Sequence, residues 1–231
     1  MLPLRDDQPR YSTPYVTYFL IALNLVIFFL EWALDPASLK NLIFQFGIVP
    51  AHLTAFLTGS PKYPLIAVVL PFFTSMFLHG SWMHVIGNMW FLHIFGDNIE
   101  DYLGHFKYLV FYLLCGVIAM GAQVVSDPQS RVPALGASGA IAGVLGAYFL
   151  LYPRARVLTW FFVFVIYVPA WLILGYWFAL QFLGGAVTSL TYEGHSMGGV
   201  AFWAHVGGFV AGLVLIKVFP ARSRRSPYVW Q

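Results

Sequence analysis

A serine set between glycines opens a long apolar run at Gly136-Ala137-Ser138-Gly139-Ala140. A histidine stands inside a second apolar run, Trp203-Ala204-His205-Val206-Gly207-Gly208. A third stretch, His79-Gly80-Ser81-Trp82-Met83-His84-Val85-Ile86-Gly87-Asn88, places His84 and Asn88 four residues apart, on one face of a helix. A hydroxyl beside a neutral imidazole is the nucleophile and base of covalent acyl transfer. Two side-chain donors at a matching depth suit an oxyanion hole, where donors must already point to the place where charge develops. His79 is read differently, as a residue that holds the loop before the helix by hydrogen bonds.

These residues sit in a chain built for lipid. Of its 231 residues 60% are hydrophobic and 9% charged, with mean hydropathy +0.76. An ordinary soluble domain carries about 25% charged residues, so that class is excluded. The single cysteine, Cys115, lies in an apolar run, which rules out an intramolecular disulfide and reads as a buried thiol. A net charge of +3 is too small to imply nucleic-acid binding, and the basic residues gather at the ends of apolar runs instead.

Six apolar runs, 15–34, 79–99, 106–125, 138–152, 157–182 and 200–219, predict an all-α membrane protein, a bundle of six transmembrane helices. The first is too long, and lacks the small-residue pattern, for a cleaved signal peptide. Residues 1–14 form a polar tail, 15–219 a single core, and 220–231 a basic tail. Within the core, 35–78 is too broken to span and too apolar to float free, so it is placed in the interface. A Gly/Ser/Thr-rich loop is expected over 184–199. One side of the bundle collects nine basic residues (Arg5, Arg10, Lys107, Arg154, Arg156, Lys217, Arg222, Arg224, Arg225) and the other three (Lys40, Lys62, Arg131). That bias predicts cytoplasmic termini and puts Ser138 toward the outside. A compact chain without a targeting segment favours a bacterial plasma membrane.

Depth ties the polar residues together. A helix from Ser138 to Tyr152 covers about 22 Å of a hydrocarbon core of about 30 Å. With Arg154 and Arg156 at one boundary, Ser138 lies roughly 8 Å below the other. Counted from the same side, His205 lies about 8–12 Å deep, and His84 and Asn88 about 7 and 13 Å. Polar groups inside spans are costly in lipid and are functional candidates by default. Ala204, Gly208 and Gly212 form a small-residue stripe on the last run, as do Gly139 and Gly143 on the fourth. Such stripes let two helix backbones approach closely. They read either as packing motifs with incidental polar groups, or as the device that brings Ser138 to His205.

On these motifs the sequence resembles the rhomboid intramembrane serine proteases. The resemblance rests on His79-x4-His84-x3-Asn88, on Gly136-Ala137-Ser138-Gly139, and on Ala204-His205 with Gly208 and Gly212, in order across the six-helix core. It implies a Ser–His dyad that cleaves transmembrane segments of other membrane proteins near the outer boundary. Ser138 would be the nucleophile, His205 the base, and His84, Asn88 and the Ser138 N–H the oxyanion donors. His79, Gly136, Gly139, Gly208 and Gly212 would support the site, and Glu100 with Gly104 matches a structural pattern of the family. The implied partners are single-span or other membrane proteins and the bilayer, with no nucleic acid, no cofactor and no metal.

Two positions depart from the family. Some rhomboids carry Trp-Arg in the first loop where this chain has Leu70-Pro71, so the loop is anchored differently. The best-known bacterial member has an aromatic residue four positions after the serine, stacked on the histidine; here that position is Ala142. His205 therefore needs another orienting contact, and no carboxylate lies at the right depth to complete a triad. The aromatics Trp160, Phe161, Phe162, Phe164, Trp171, Trp177 and Phe178 of the fifth run read equally as a movable wall beside the site or as a lipid-facing surface. Gly198-Gly199 reads as the hinge of a roof loop.

Other chemistries fit less well. His-Glu-x-x-His is absent, and His79 and His84 are wrongly spaced to share a zinc ion from one helix face. Asp97 lacks the second aspartate of an aspartyl protease. A non-catalytic relative that binds membrane clients would be expected to have lost Ser138 or His205. A transporter would show internal symmetry or a span broken at the midplane.

Overall fold

The computed structural model describes residues 1–191 and 200–222. Strand β1 (Leu2–Asp6) is followed by helix α1 (Tyr15–Trp32), then by the short helices α2 (Pro36–Phe46), α3 (Pro50–Leu57), α4 (Leu65–Val69) and α5 (Pro71–Thr74) and a 3-10 turn at Ser75–Phe77. Helices α6 (Trp82–Leu103), α7 (His105–Ser126) and α8 (Ser138–Leu151) come next. The chain then forms strands β2 (Arg156–Phe161) and β3 (Phe164–Pro169) before α9 (Ala170–Thr191) and α10 (Phe202–Val218).

Local chemistry sets several boundaries. Asp35 accepts from the N–H groups of Ala37 (3.0 Å) and Ser38 (3.1 Å), and Pro36 takes the first helical position, so α2 starts there. Ser81 caps α6 through the His84 N–H at 3.2 Å. Gly104, at φ +78°, ends α6 and lets α7 start at the next residue.

Helix α8 is the centre. Every residue from Gly139 to Tyr148 is buried, because the helix is apolar on all sides and α6, α7, α9 and α10 pack around it. Glycines set the spacing to α10. A Cβ added to Gly208 would lie 2.0 Å from the Gly139 carbonyl oxygen, and one on Gly212 would lie 1.9 Å from that of Gly143. The two backbones are thus in direct contact.

Among the described residues α1, α7 and α9 are long and apolar enough to cross a membrane, and the segments 65–77 and 82–103, bent by 77°, make a fourth span if taken together. Helices α8 and α10 are apolar but shorter, at 14 and 17 residues. The chain is a multi-pass membrane protein with an all-helical bundle, of which three spans are long enough by themselves and a fourth if the bent pair counts as one, against six expected.

The strands are the main correction. Residues 156–169 form a hairpin where the fifth run was expected to be helical from Val157, and β1 joins it antiparallel to complete a sheet of order β1-β2-β3. A continuous run of apolar, β-branched and aromatic residues does not distinguish a strand from a buried helix. The turn adds no signal either. It is Phe162-Val163, between paired Phe161 and Phe164, with Phe162 at φ +54° in place of the usual Gly or Asn. Trp160, Phe161, Phe162 and Phe164 therefore lie on this hairpin and not on a wall beside the site. Helix α9 starts later than expected and continues to Thr191, so residues 184–191 are helical and not loop. The rest of the expected roof loop, Gly198-Gly199 included, and Arg224 and Arg225 lie outside the described residues.

The end of the bundle away from Ser138 is tied by buried polar groups. Glu100, fully buried, accepts from the N–H groups of Val16 (2.9 Å) and Thr17 (2.8 Å) and from the Thr17 hydroxyl (2.7 Å), fixing the first turn of α1, and meets His105 Nδ1 at 2.6 Å. Asp6 accepts from Asn98 Nδ2 at 3.0 Å and from the Tyr148 hydroxyl. Burial there raises its carboxyl to about pKa 6, with the neighbouring Asp97 and Asp7 adding to the shift and the Tyr148 hydrogen bond opposing it. At the Ser138 end the first connection is held by backbone. Ile48 bridges Ala134, Ala51 N–H donates to Ser130 O (2.9 Å), and the Thr74 hydroxyl donates to Phe46 O (2.7 Å). These bonds anchor the loop that carries Leu70-Pro71.

Candidate active site

Ser138 is the first residue of α8, where backbone N–H groups have no partner within the helix. His205 lies in the first turn of α10. Contact between the α8 and α10 backbones brings the two together, with His205 Nε2 2.8 Å from Ser138 Oγ. The hydroxyl can donate to that nitrogen only if the proton of the neutral ring sits on Nδ1. Nδ1 in turn lies 2.8 Å from Gln181 Oε1, an acceptor on α9. Trp177, one turn earlier on α9, places its ring 5.8 Å from that of His205, tilted by 39°. Both of these neighbours of the His205 ring belong to α9.

Gly136 shapes the other side. Its φ is +123°, and a Cβ there would lie 2.6 Å from His84 Cε1 and 3.6 Å from Ser138 Oγ. Only glycine lets this loop pass between the imidazole and the hydroxyl. The Gly136 N–H is held by Ser75 O at 2.8 Å, so the first connection supports the loop that carries Ser138.

Asn88 and His84 follow from α6, as their spacing predicts, and both line a cavity of about 310 Å³ together with Met83, Ser138, Trp177 and His205. Its deeper wall is apolar, formed by Phe91, Ile141 and Leu145. Ser138 and His205 are half-buried, so the cavity reaches both. His79 does more than hold its own loop. Its ring Nε2 accepts from Asn88 Nδ2 at 3.0 Å, its backbone N–H donates to Glu31 Oε2 at 3.1 Å, and its ring meets that of His84 edge-on at 5.1 Å. Asn88 thus has one amide hydrogen engaged and one still to offer.

Gly139, Gly208 and Gly212 lie outside the cavity, at the α8–α10 contact. Glu100 and Gly104 lie at the opposite end of α6.

Two residues were missed by sequence reasoning. Gln181 is the one amide between Ala170 and Val187, and a polar group in so apolar a run was a signal in plain view. Glu31 is almost fully buried near the end of α1, and its carboxylate was the corresponding signal there.

Comparison with known proteins gives a consistent picture. The family model described as Rhomboid domain matches residues 67–222. Over 163 residues the chain is 32% identical to rhomboid-like protein 11, chloroplastic, of Arabidopsis thaliana, covering 66% of this chain and 54% of that protein. It is 34% identical over 139 residues to presenilin-associated rhomboid-like protein A, mitochondrial, of Danio rerio, covering 59% and 32%. It is 30% identical over 144 residues to rhomboid protein 1, mitochondrial, of Saccharomyces cerevisiae, covering 61% and 39%. The matched part spans from just under a third to just over half of the length of these relatives.

Proposed function

The chain belongs to the rhomboid family, and on that premise we propose that it is an intramembrane serine endopeptidase that cuts transmembrane segments of other membrane proteins near one membrane boundary. The observation that carries this reading is the 2.8 Å contact between Ser138 Oγ and His205 Nε2 at the edge of a cavity that also presents His84 and Asn88.

In this reading His205 takes the Ser138 proton at Nε2 as Oγ attacks a peptide carbonyl. The carbonyl oxygen becomes an oxyanion, held by the Ser138 N–H, the free Asn88 amide hydrogen and His84. The start of α8 adds the positive end of its dipole. The Nε2 proton then passes to the leaving amine, and water repeats the cycle on the acyl-enzyme. A substrate helix satisfies its own carbonyls, so it must unwind to be cut. Segments with Gly, Pro or polar residues near the boundary are preferred, with a small side chain before the cut. Basic residues at the far end of the bundle, Arg5, Arg154, Arg156 and Lys217 among them, favour cytoplasmic termini and a cut near the outer face. In this reading α8 and α10 count as spans, and a bacterial plasma membrane is the setting.

The test is incubation of the solubilised protein with a panel of single-span proteins, with cuts mapped by mass. The wild type should cleave at least one near a boundary, and Ser138→Ala should cleave none while unfolding at the same temperature. Cleavage that survives in Ser138→Ala removes the dyad from the mechanism.

A further inference from the structure

The catalytic imidazole needs its proton on Nδ1 and its ring plane aimed at Ser138, and the aromatic contact that the best-known bacterial rhomboid makes from its serine helix is replaced here by Ala142, which is fully buried. A neutral imidazole in an apolar site has two tautomers, and the one with hydrogen on Nε2 cannot accept the Ser138 hydroxyl at that nitrogen. Something must choose between them.

Resting on the protease reading above, we propose that Gln181 is the positioning residue of His205: its Oε1 accepts the Nδ1 hydrogen, fixing the tautomer and aim that leave Nε2 free for Ser138. The distances on the two sides of the ring are both 2.8 Å, so Gln181, His205 and Ser138 form one continuous chain from α9 through α10 to α8. Trp177 lies one turn away on the same helix and limits rotation of the ring from a second direction. Among the described residues lining the cavity, the ionisable groups are His205 and His84, and neither is a carboxylate. Gln181 does not touch the reacting atoms; it acts through the ring. Because the acceptor rides on α9, moving that helix away from α10 breaks the bond and leaves the base misaligned. Integrity of this wall and readiness of the dyad are thereby one condition.

The test separates ring positioning from packing and from substrate access. Gln181→Met keeps the length of the side chain and removes the acceptor; Gln181→Leu is a second apolar variant should the first be poorly folded. Gln181→Glu restores an acceptor at the same reach. Each is compared with wild type for kcat and KM on a cleaved substrate, and for the rate at which a small fluorophosphonate labels Ser138, a reaction that requires no helix to pass α9. Both apolar variants should lower kcat and the labelling rate by about tenfold to a hundredfold, the usual effect of losing an orienting partner, with KM changed less than threefold. Gln181→Glu should recover most of both rates. Labelling at the wild-type rate in the apolar variants overturns the proposal, as does a loss confined to KM, or a Glu variant no better than Met. If wild type itself neither labels at Ser138 nor cleaves, the protease reading fails and takes this one with it.

Discussion

Replacing Gly208 by alanine should disable the dyad without touching either of its members. A Cβ at this position would lie 2.0 Å from the Gly139 carbonyl oxygen and 3.0 Å from its carbonyl carbon, both backbone atoms that cannot rotate away. Ordinary contact begins at about 3.4 Å, so α10 must withdraw from α8 by roughly 1.4 Å at this point. Gly139 follows Ser138 directly, and Gly208 is one turn from His205. The same displacement carried to the dyad lengthens the Ser138–His205 distance from 2.8 Å to about 4.2 Å, beyond hydrogen-bond reach. General-base assistance contributes about 10²–10⁴-fold, so cleavage should fall by at least about a hundredfold. Overpacking of this kind costs about 1–3 kcal/mol, enough to lower the melting temperature while the protein still folds. The control is Gly121→Ala on α7, where an added Cβ meets nothing within 4 Å; it should retain full activity and gain slightly in stability from helix propensity. The assay is Ser138-dependent cleavage of a single-span substrate alongside thermal unfolding in the same detergent. Wild-type turnover in a folded Gly208→Ala protein would refute the idea that backbone contact between α8 and α10 sets the catalytic distance.

Asn88→Ala should reduce kcat about 10²–10³-fold with little change in KM if its free amide hydrogen serves the oxyanion. His79→Phe, which removes the 3.0 Å bond that aims Asn88, should give a smaller loss of the same kind; equal activity in both variants would leave the oxyanion to other donors. Glu100→Gln exchanges an oxygen acceptor for a donor at the first turn of α1, and should cost about 1–3 kcal/mol in unfolding experiments while cleavage by the folded fraction is unchanged. Asp6 gives a pH signature. Its carboxyl is raised from 3.8 to about 6 by burial, so the folded protein holds this proton more tightly than the unfolded chain. The stability it contributes is complete below about pH 4 and is lost as pH rises through about 6. Asp6→Asn, whose side-chain oxygen can still accept from Asn98 and Tyr148, should remove that decline. Melting curves at pH 4, 5, 6 and 7 for both proteins measure it, and parallel pH dependences would show that Asp6 is not the group responsible.

Composition and spacing were enough to read a membrane-embedded helical bundle and to name Ser138, His205, His84 and Asn88 as residues that belong together. Lipid makes each polar group within an apolar run conspicuous, and the helix period fixes which groups share a face. The glycine stripes were legible for the same reason, since only small residues allow such contact. Spatial pairing decided the rest. The run after Arg156 became a hairpin because its residues suit a strand as well as a buried helix, and because pairing with residues 2–6 depends on chain more than 140 positions away. The bend before α6 and the short α8 made span counting from length inexact. Gln181 was visible as an oddity, but that it faces His205 follows from how α9 packs on α10. Sequence identifies which side chains are costly to bury, whereas tertiary packing determines which neighbours satisfy them.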